Sequence, residues 1–149
     1  MYPRDYADLR KVVIVGGGTA GYNCAETLRK HSYTGEITVF DKKLEVPFDK
    51  TKLRKSVKNY DIRDFELREE EWIDDYAINF MYGSAVDSFH TVEKEYYVKT
   101  KEEEFDYQYD ALCMATGSRI ASKSLYRSEG KKNVFYFQNP KNHKKLKKV

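Results

Sequence analysis

No stretch of this chain approaches the roughly 18 consecutive apolar residues of a membrane-crossing helix, so a span of that kind is excluded. The first ten residues mix Arg4 and Arg10 with Asp5 and Asp8 and hold no apolar run. Neither a secretory signal nor a transit peptide is visible there, and a soluble protein is expected. Cysteine is scarce: only Cys24 and Cys113 are present, 89 positions apart. That spacing matches no metal or redox motif, and two buried thiols in a reducing compartment are expected. A G-x-S-x-G elbow is missing, which removes the Ser/His/Asp hydrolase reading. Of the three histidines, His31 falls at a helix end, His90 at a strand end and His143 in a basic terminus. They share no spacing that suggests catalysis and read as structural or solvated.

A strong net charge is also missing, since +3 is too small to argue for a nucleic-acid partner by itself. The distribution is nonetheless uneven. Asp61–Asp75 holds eight acids against two arginines, and Lys141, Lys144, Lys145, Lys147 and Lys148 crowd the last nine positions. Such a basic end reads as a solvated tail, as the start of a lysine-rich helix or as a phosphate contact to nucleic acid. The 149 residues suffice for one domain with a sizeable core, not for two full ones. With 40% apolar residues and 34% charged, the chain is polar but far from the disordered class. Its 13 tyrosines and 8 phenylalanines must supply much of the core.

What the chain does have is a strand, a glycine turn, a helix and a second strand between Lys11 and Asp41. Lys11–Val15 (KVVIV) is the short, β-branched apolar run of a buried parallel strand. It leads into Gly16-Gly17-Gly18-Thr19-Ala20-Gly21, which fits G-x-G-x-x-G with Gly16, Gly18 and Gly21 in the three places. In such a turn the first glycine permits the bend, the second lets backbone approach a pyrophosphate, and the third lets helix and strand pack closely. Thr19–Lys30 suits a helix whose N-terminus faces the phosphates. Ala20, Cys24 and Leu28 share one face, and Arg29 and Lys30 sit at the end that the helix dipole favours for cations. Glu36–Phe40 follows as a strand closed by Asp41, an acid placed to take ribose hydroxyls. Nineteen residues separate Gly21 from Asp41, close to the fingerprint's roughly twenty.

Beyond it, 41–58 carries seven basic residues, three acids and one proline, and reads as a long loop entering a short helix. A surface helix is expected from about Glu69 to Tyr76, anchored by Trp72 and Tyr76. Ala77–Tyr82 reads as a third parallel strand. Val86–His90, Glu95–Thr100 and Glu104–Tyr109 then alternate with period two and predict a three-stranded antiparallel meander. Ala111–Met114 is a last parallel strand opening into Ala115-Thr116-Gly117-Ser118. The fold class is therefore α/β: a Rossmann-like parallel sheet with a helix layer on one face and the meander over the other.

Taken together, GGGTAG, CAETLRK, the strand ending in Asp41, VPFDKTKLRK, Arg68 in ELR and the turn ATGS resemble the FAD-dependent pyridine-nucleotide oxidoreductases. CAETLRKHSYTGEI and PFDKTKLRK look most like the apoptosis-inducing-factor group and next like bacterial ferredoxin reductases. The resemblance implies that FAD is the cofactor. It also implies a flavin domain interrupted by a nicotinamide domain, of which this chain is similar only to the first segment. On that reading 1–10 is a tail, 11–138 is the FAD-binding segment and 139–149 is a basic tail or the connection onward. Asn133–Gln138 looks like the strand leading there. NAD(P)H would be a partner only in a full-length relative, a Rieske-type domain upstream is left open, and the family points to mitochondrion or cytosol.

Carried over by the resemblance, Gly16, Gly18, Thr19, Ala20 and Gly21 would cradle the pyrophosphate. Asp41 and Lys42 would hold the adenosine ribose, and Val86 would meet the adenine through its backbone. Lys50, in a place where the family has arginine, and Lys55, in its L-S-K signature with Arg54 for serine, would lie towards the flavin or its phosphates. Lysine at position 50 keeps the charge but loses the planar fork. Ala115, Thr116 and Gly117 would form the second turn at the cofactor. Ile120, Ala121 and Gln138 depart from the family's proline and arginines. Residues 42–60 contain no cysteine, so the redox disulfide of the disulfide-reductase branch is absent. The rival reading is a remnant without flavin that binds a protein partner or nucleic acid. No residue is assigned to catalysis or to a metal.

Overall fold

The computed structural model describes residues 4–55, 62–68, 71–91, 95–99 and 104–118. The expected Asn133–Gln138 strand and the basic end with His143 lie outside them. In chain order the elements are β1 (Lys11–Val15), α1 (Thr19–Lys30), β2 (Glu36–Asp41), α2 (Lys50–Lys55), a 3-10 turn (Ile62–Phe65), α3 (Glu71–Asp75), β3 (Asn79–Tyr82), β4 (Ala85–His90), β5 (Glu95–Lys99), β6 (Glu104–Gln108) and β7 (Ala111–Met114). The chain divides into two compact units, 1–47 with 67–116 and 48–66 with 117–149.

The first unit is built on a four-stranded parallel sheet in the order β3-β2-β1-β7. Because side chains alternate across a strand, β1 feeds two layers at once. Val12 and Ile14 pack with Ile37, Val39, Ala25 and Ile78 on the helix side. Val13 and Val15 pack with Phe40 and Tyr109 on the other side, where Val86 and Tyr107 of the meander join them. The meander is the antiparallel sheet β4-β5-β6, as its alternation predicts. A hydroxyl contact of 3.2 Å between Thr38 and Tyr107 fixes it to the parallel sheet.

α1 turns a different face inward from the one its apolar spacing suggests. Gly21, Tyr22, Ala25 and Arg29 are buried, whereas Cys24 and Leu28 are half-buried and Ala20 is exposed. The face with no side chain at Gly21 comes closest to the sheet, and the rest of the helix is rotated to match. Cys24 and Cys113, expected as two buried thiols, are each half-buried. Burial, followed by interaction with the Cys113 thiol, pushes the Cys24 thiol up to about 11.

Both helices of this unit end in the same way without a glycine. After α1, Ser32 at φ 63° donates its N–H to Arg29 and Tyr33 donates to Leu28. After α3, Ala77 at φ 48° donates to Asp74 and Ile78 donates to Ile73. These are paired 5→2 and 6→1 bonds around a left-handed residue, the Schellman arrangement. Ala77 in that conformation is why β3 starts at Asn79 rather than at 77.

Arg29, 2% exposed, is held at this junction. Its Nε donates to the Tyr76 carbonyl at 2.7 Å, Nη1 to those of Tyr33 and Gly35 at 2.8 and 2.7 Å, and Nη2 to that of Ala77 at 2.8 Å. Four backbone carbonyls from two turns thus converge on one guanidinium, and its burial pulls its pKa below the usual arginine value. The Trp72 ring completes the contact between α3 and α1, stacked 4.7 Å from both Tyr22 and Tyr76. Before β1, residues 4–10 are fastened to the turn before β2. Arg4 pairs with Glu36 at 2.9 Å, and Asp8 accepts from Arg10 at 2.7 Å and from Thr34 at 2.8 Å.

In the second unit, Asp49 caps α2: its Oδ1 accepts from the Thr51 N–H at 2.7 Å and the Thr51 hydroxyl at 2.6 Å. Phe48 and Phe65 form a buried pair beside an antiparallel bridge from Phe48 to Glu66.

Two expected outcomes follow for urea unfolding. Arg29→Ala, which strips four carbonyls of a charged donor, loses at least about 3 kcal/mol, since each such bond is worth roughly 1.5–3. Ala77→Gly gains about 0.5–1 kcal/mol by relieving the left-handed alanine.

Candidate functional site

Parallel strands β1, β2 and β7 release their C-terminal ends at one place, where ligands of open α/β sheets bind. β1 releases the glycine turn there. Gly16 adopts φ 108°, a region that L side chains avoid, and a Cβ on it would stand 2.3 Å from the Ala115 carbonyl oxygen. Its N–H donates to Phe40 at 2.8 Å. A Cβ on Gly17 would stand 2.3 Å from the Phe80 ring and 2.8 Å from Asp41 Oδ2. On Gly21 it would reach 2.0 Å from the Gly16 oxygen. These three glycines are required by the packing of the chain itself.

Gly18 is different. It has φ −77° and ψ −171°, ordinary extended backbone open to any residue, and a Cβ on it would meet nothing within 4 Å. Neither strain nor packing inside the protein asks for a glycine here. It is the N-cap of α1, makes no side-chain cap bond, and is followed by a first turn without an acid. The helix N-terminus therefore carries its free N–H groups and positive dipole end without an anion from its own cap or first turn. Thr19 and Ala20 are exposed at that end.

Asp41 closes β2 and is 6% exposed. Its Oδ2 accepts from the Gly17 N–H at 3.1 Å and its Oδ1 from the Lys43 N–H at 3.0 Å. The Asp41 carbonyl accepts from Ser84 at 3.0 Å and the Lys43 carbonyl from Gly83 at 2.9 Å. One residue thus ties the glycine turn, the exit of β2 and the turn that leads into β4. Lys42 is exposed beside it, and Val86 lies two residues beyond Ser84 in β4. On the other flank, Ala115 donates to Val15 at 2.8 Å, which sets Ala115 and Thr116 against Gly16.

The structure accordingly brings together Gly16, Gly18, Thr19, Ala20, Gly21, Asp41, Lys42, Val86, Ala115 and Thr116. Lys50, Lys55 and Gly117 belong to the second unit. Lys50 is exposed at the start of α2, the Lys55 side chain is outside the described residues, and Gly117 adopts φ 70°. Sequence reasoning missed Gly17 and Phe80. The fingerprint leaves Gly17 as an unspecified residue, and only the pairing of β3 with β2 puts Phe80 beneath it.

The model of the pyridine nucleotide-disulphide oxidoreductases matches residues 10–149. The chain belongs to that family. FAD is the cofactor on which the family depends. A ferredoxin–NAD(+) reductase subunit of a benzene 1,2-dioxygenase system from Pseudomonas putida is 31% identical over 122 residues, covering 79% of this chain and 28% of that protein. Apoptosis-inducing factor 3 from Homo sapiens is 30% identical over 135 residues, covering 91% and 22%. An NAD-dependent persulfide reductase from A. fulgidus shares the fold, with a TM-score of 0.80 at 22% identity over 93% of this chain and 27% of that one. The chain spans about a quarter of the length of these relatives.

Two substitutions separate the packing glycines from the open one. Gly21→Val is expected to lower stability by more than about 3 kcal/mol, because it drives a side chain into the Gly16 carbonyl. Gly18→Val is expected to stay within about 1 kcal/mol of the parent in the same urea titration.

Proposed function

We propose that this chain is the first FAD-binding segment of an NAD(P)H-dependent oxidoreductase of the apoptosis-inducing-factor and ferredoxin-reductase kind. The observation that carries the reading is Gly18. A glycine with no conformational or packing reason to be one stands before a helix N-terminus whose cap and first turn supply no anion. A pyrophosphate brought up to that backbone explains both. The residues present fit the group.

On this reading the amides of Gly18, Thr19, Ala20 and Gly21 bind the pyrophosphate, and the Gly16 bend aims them. The Asp41 carboxylate, already oriented by two backbone N–H groups, accepts from the ribose hydroxyls, with Lys42 beside it. Val86 offers its backbone to the adenine. Ala115 and Thr116 serve the flavin end. Bound FAD supplies the redox chemistry, which in a full-length protein is hydride uptake from a nicotinamide cofactor. Residues 11–138 are the segment that binds and orients it, and 139–149 lead towards a nicotinamide domain.

The test is a titration of the purified chain with FAD, followed by flavin fluorescence, on the parent and on Gly18→Val. Saturable binding to the parent that is lost in the folded variant is the expected result. No binding to a parent chain shown to be folded by circular dichroism would sink the reading.

A further inference from the structure

Away from the glycine turn, α1 and β7 each present a cysteine to the same apolar layer. Cys24 and Cys113 both pack against the cluster of Val12, Ile14, Ala25, Ile37, Val39 and Ile78, and their side chains interact. The topology explains how residues so distant in sequence meet. β7 runs beside β1 with Cys113 level with Ile14. α1 descends onto that point, since a Cβ on Gly21 would lie 3.2 Å from Ile14 Cγ2. Disulfides need the two backbones within about 4.4–6.8 Å at their Cα atoms, a closer approach than most helix–sheet pairs make. Gly21 lets α1 come close to the sheet at this point. Cys24 also lines an open depression with Ala20, Asn23, Thr27, Leu28 and His31, so a small reagent reaches it. No group of three or more metal-ligating side chains occurs among the described residues, so the two sulfurs form a dithiol rather than part of a larger metal site.

We propose that Cys24 and Cys113 are a modification site at which a low-molecular-weight disulfide, such as oxidised glutathione, is reduced and an intramolecular disulfide joining α1 to β7 is formed. The inference is independent of what the glycine turn binds. In the first step the Cys24 thiolate, at the open depression, attacks one sulfur of the glutathione disulfide. The S–S bond breaks, a mixed disulfide forms on Cys24 and one glutathione thiolate leaves. Cys113 takes the second step, because the mixed disulfide beside it is a neighbouring electrophile at high effective concentration. Its sulfur displaces the second glutathione. Two electrons pass from the cysteine pair to the glutathione disulfide, and the two protons released by the cysteines end on the two glutathione thiols.

The experiment is incubation of the native chain with excess oxidised glutathione, read by intact mass, thiol count and peptide mapping. The expected product has lost both free thiols and two hydrogens, retains no glutathione, maps as a Cys24–Cys113 peptide pair and reverts with dithiothreitol. Under the same treatment Cys113→Ser keeps one glutathione on Cys24, and Cys24→Ser forms no intramolecular disulfide, both variants being folded by circular dichroism. A parent chain that retains glutathione, keeps both thiols free or cross-links into dimers would overturn the proposal.

Discussion

Everything in the first unit depends on how closely α1 approaches the end of β1. The contact is made at Gly21, where even one methyl group would stand 2.0 Å from the Gly16 oxygen. A helix that can settle this low buries Ala25 against Ile14 and Val39 without a gap, and tight packing of that layer follows. The same descent aims the first turn of α1 at the mouth of the sheet and brings a helix thiol to a strand thiol. The family's third glycine is thus a packing residue first. Beyond the amide it offers, its service to a ligand is the place it gives the helix.

The turn divides its labour accordingly. Gly16 supplies a backbone conformation, Gly17 clears space for Phe80 and Asp41, Gly21 sets the helix height, and Gly18 alone is unclaimed by the protein. Asp41 then makes the assembly rigid. Its carboxylate is taken out of water, and two backbone N–H groups offset that loss. Because its carbonyl also holds Ser84, the position of the turn is shared with the entry to β4. Such cross-bracing preorganises a binding surface before any ligand arrives, which lowers the entropy lost on binding.

The strand–turn–helix–strand core, the meander and the last strand were all legible, because each announces itself by local period and by glycine. The buried face of α1 was not. Hydrophobic spacing points to Ala20, Cys24 and Leu28, but a glycine without a side chain carries no hydrophobic signal and yet decides the rotation. Although α1 stops at Lys30 as read, the way both helices close was hidden, since Ser32 and Ala77 occupy left-handed positions where glycine is the usual mark. Arg29 was read from its place near a helix C-terminus as a charge that the dipole favours. That it is buried among carbonyls of two turns depends on α3, which sequence places only roughly. At the site, the fingerprint residues and Asp41 were legible from spacing. The pairing of Phe80 with Gly17, and of Cys24 with Cys113, needs the order of strands in the sheet.

The two ends of α1 are electrostatically unlike, and this is what makes the helix a lever between ligand and fold. Its C-terminal end is satisfied: Ser32 and Tyr33 take up carbonyls of the last turn, while Arg29 gathers four more from the neighbouring turns. Its N-terminal end has no acid in the first turn and no side-chain cap. An anion bound there completes the helix and interacts only with the folded state, because the cluster of amides exists only when the turn is formed. By linkage such a ligand stabilises the fold by about 2.7 kcal/mol at a hundredfold excess over its dissociation constant. The stabilisation is transmitted through a helix already fixed at its far end to α3 and β3. An anion at Gly18 therefore steadies the Arg29 junction at the far end of the same helix, although it touches none of the residues there.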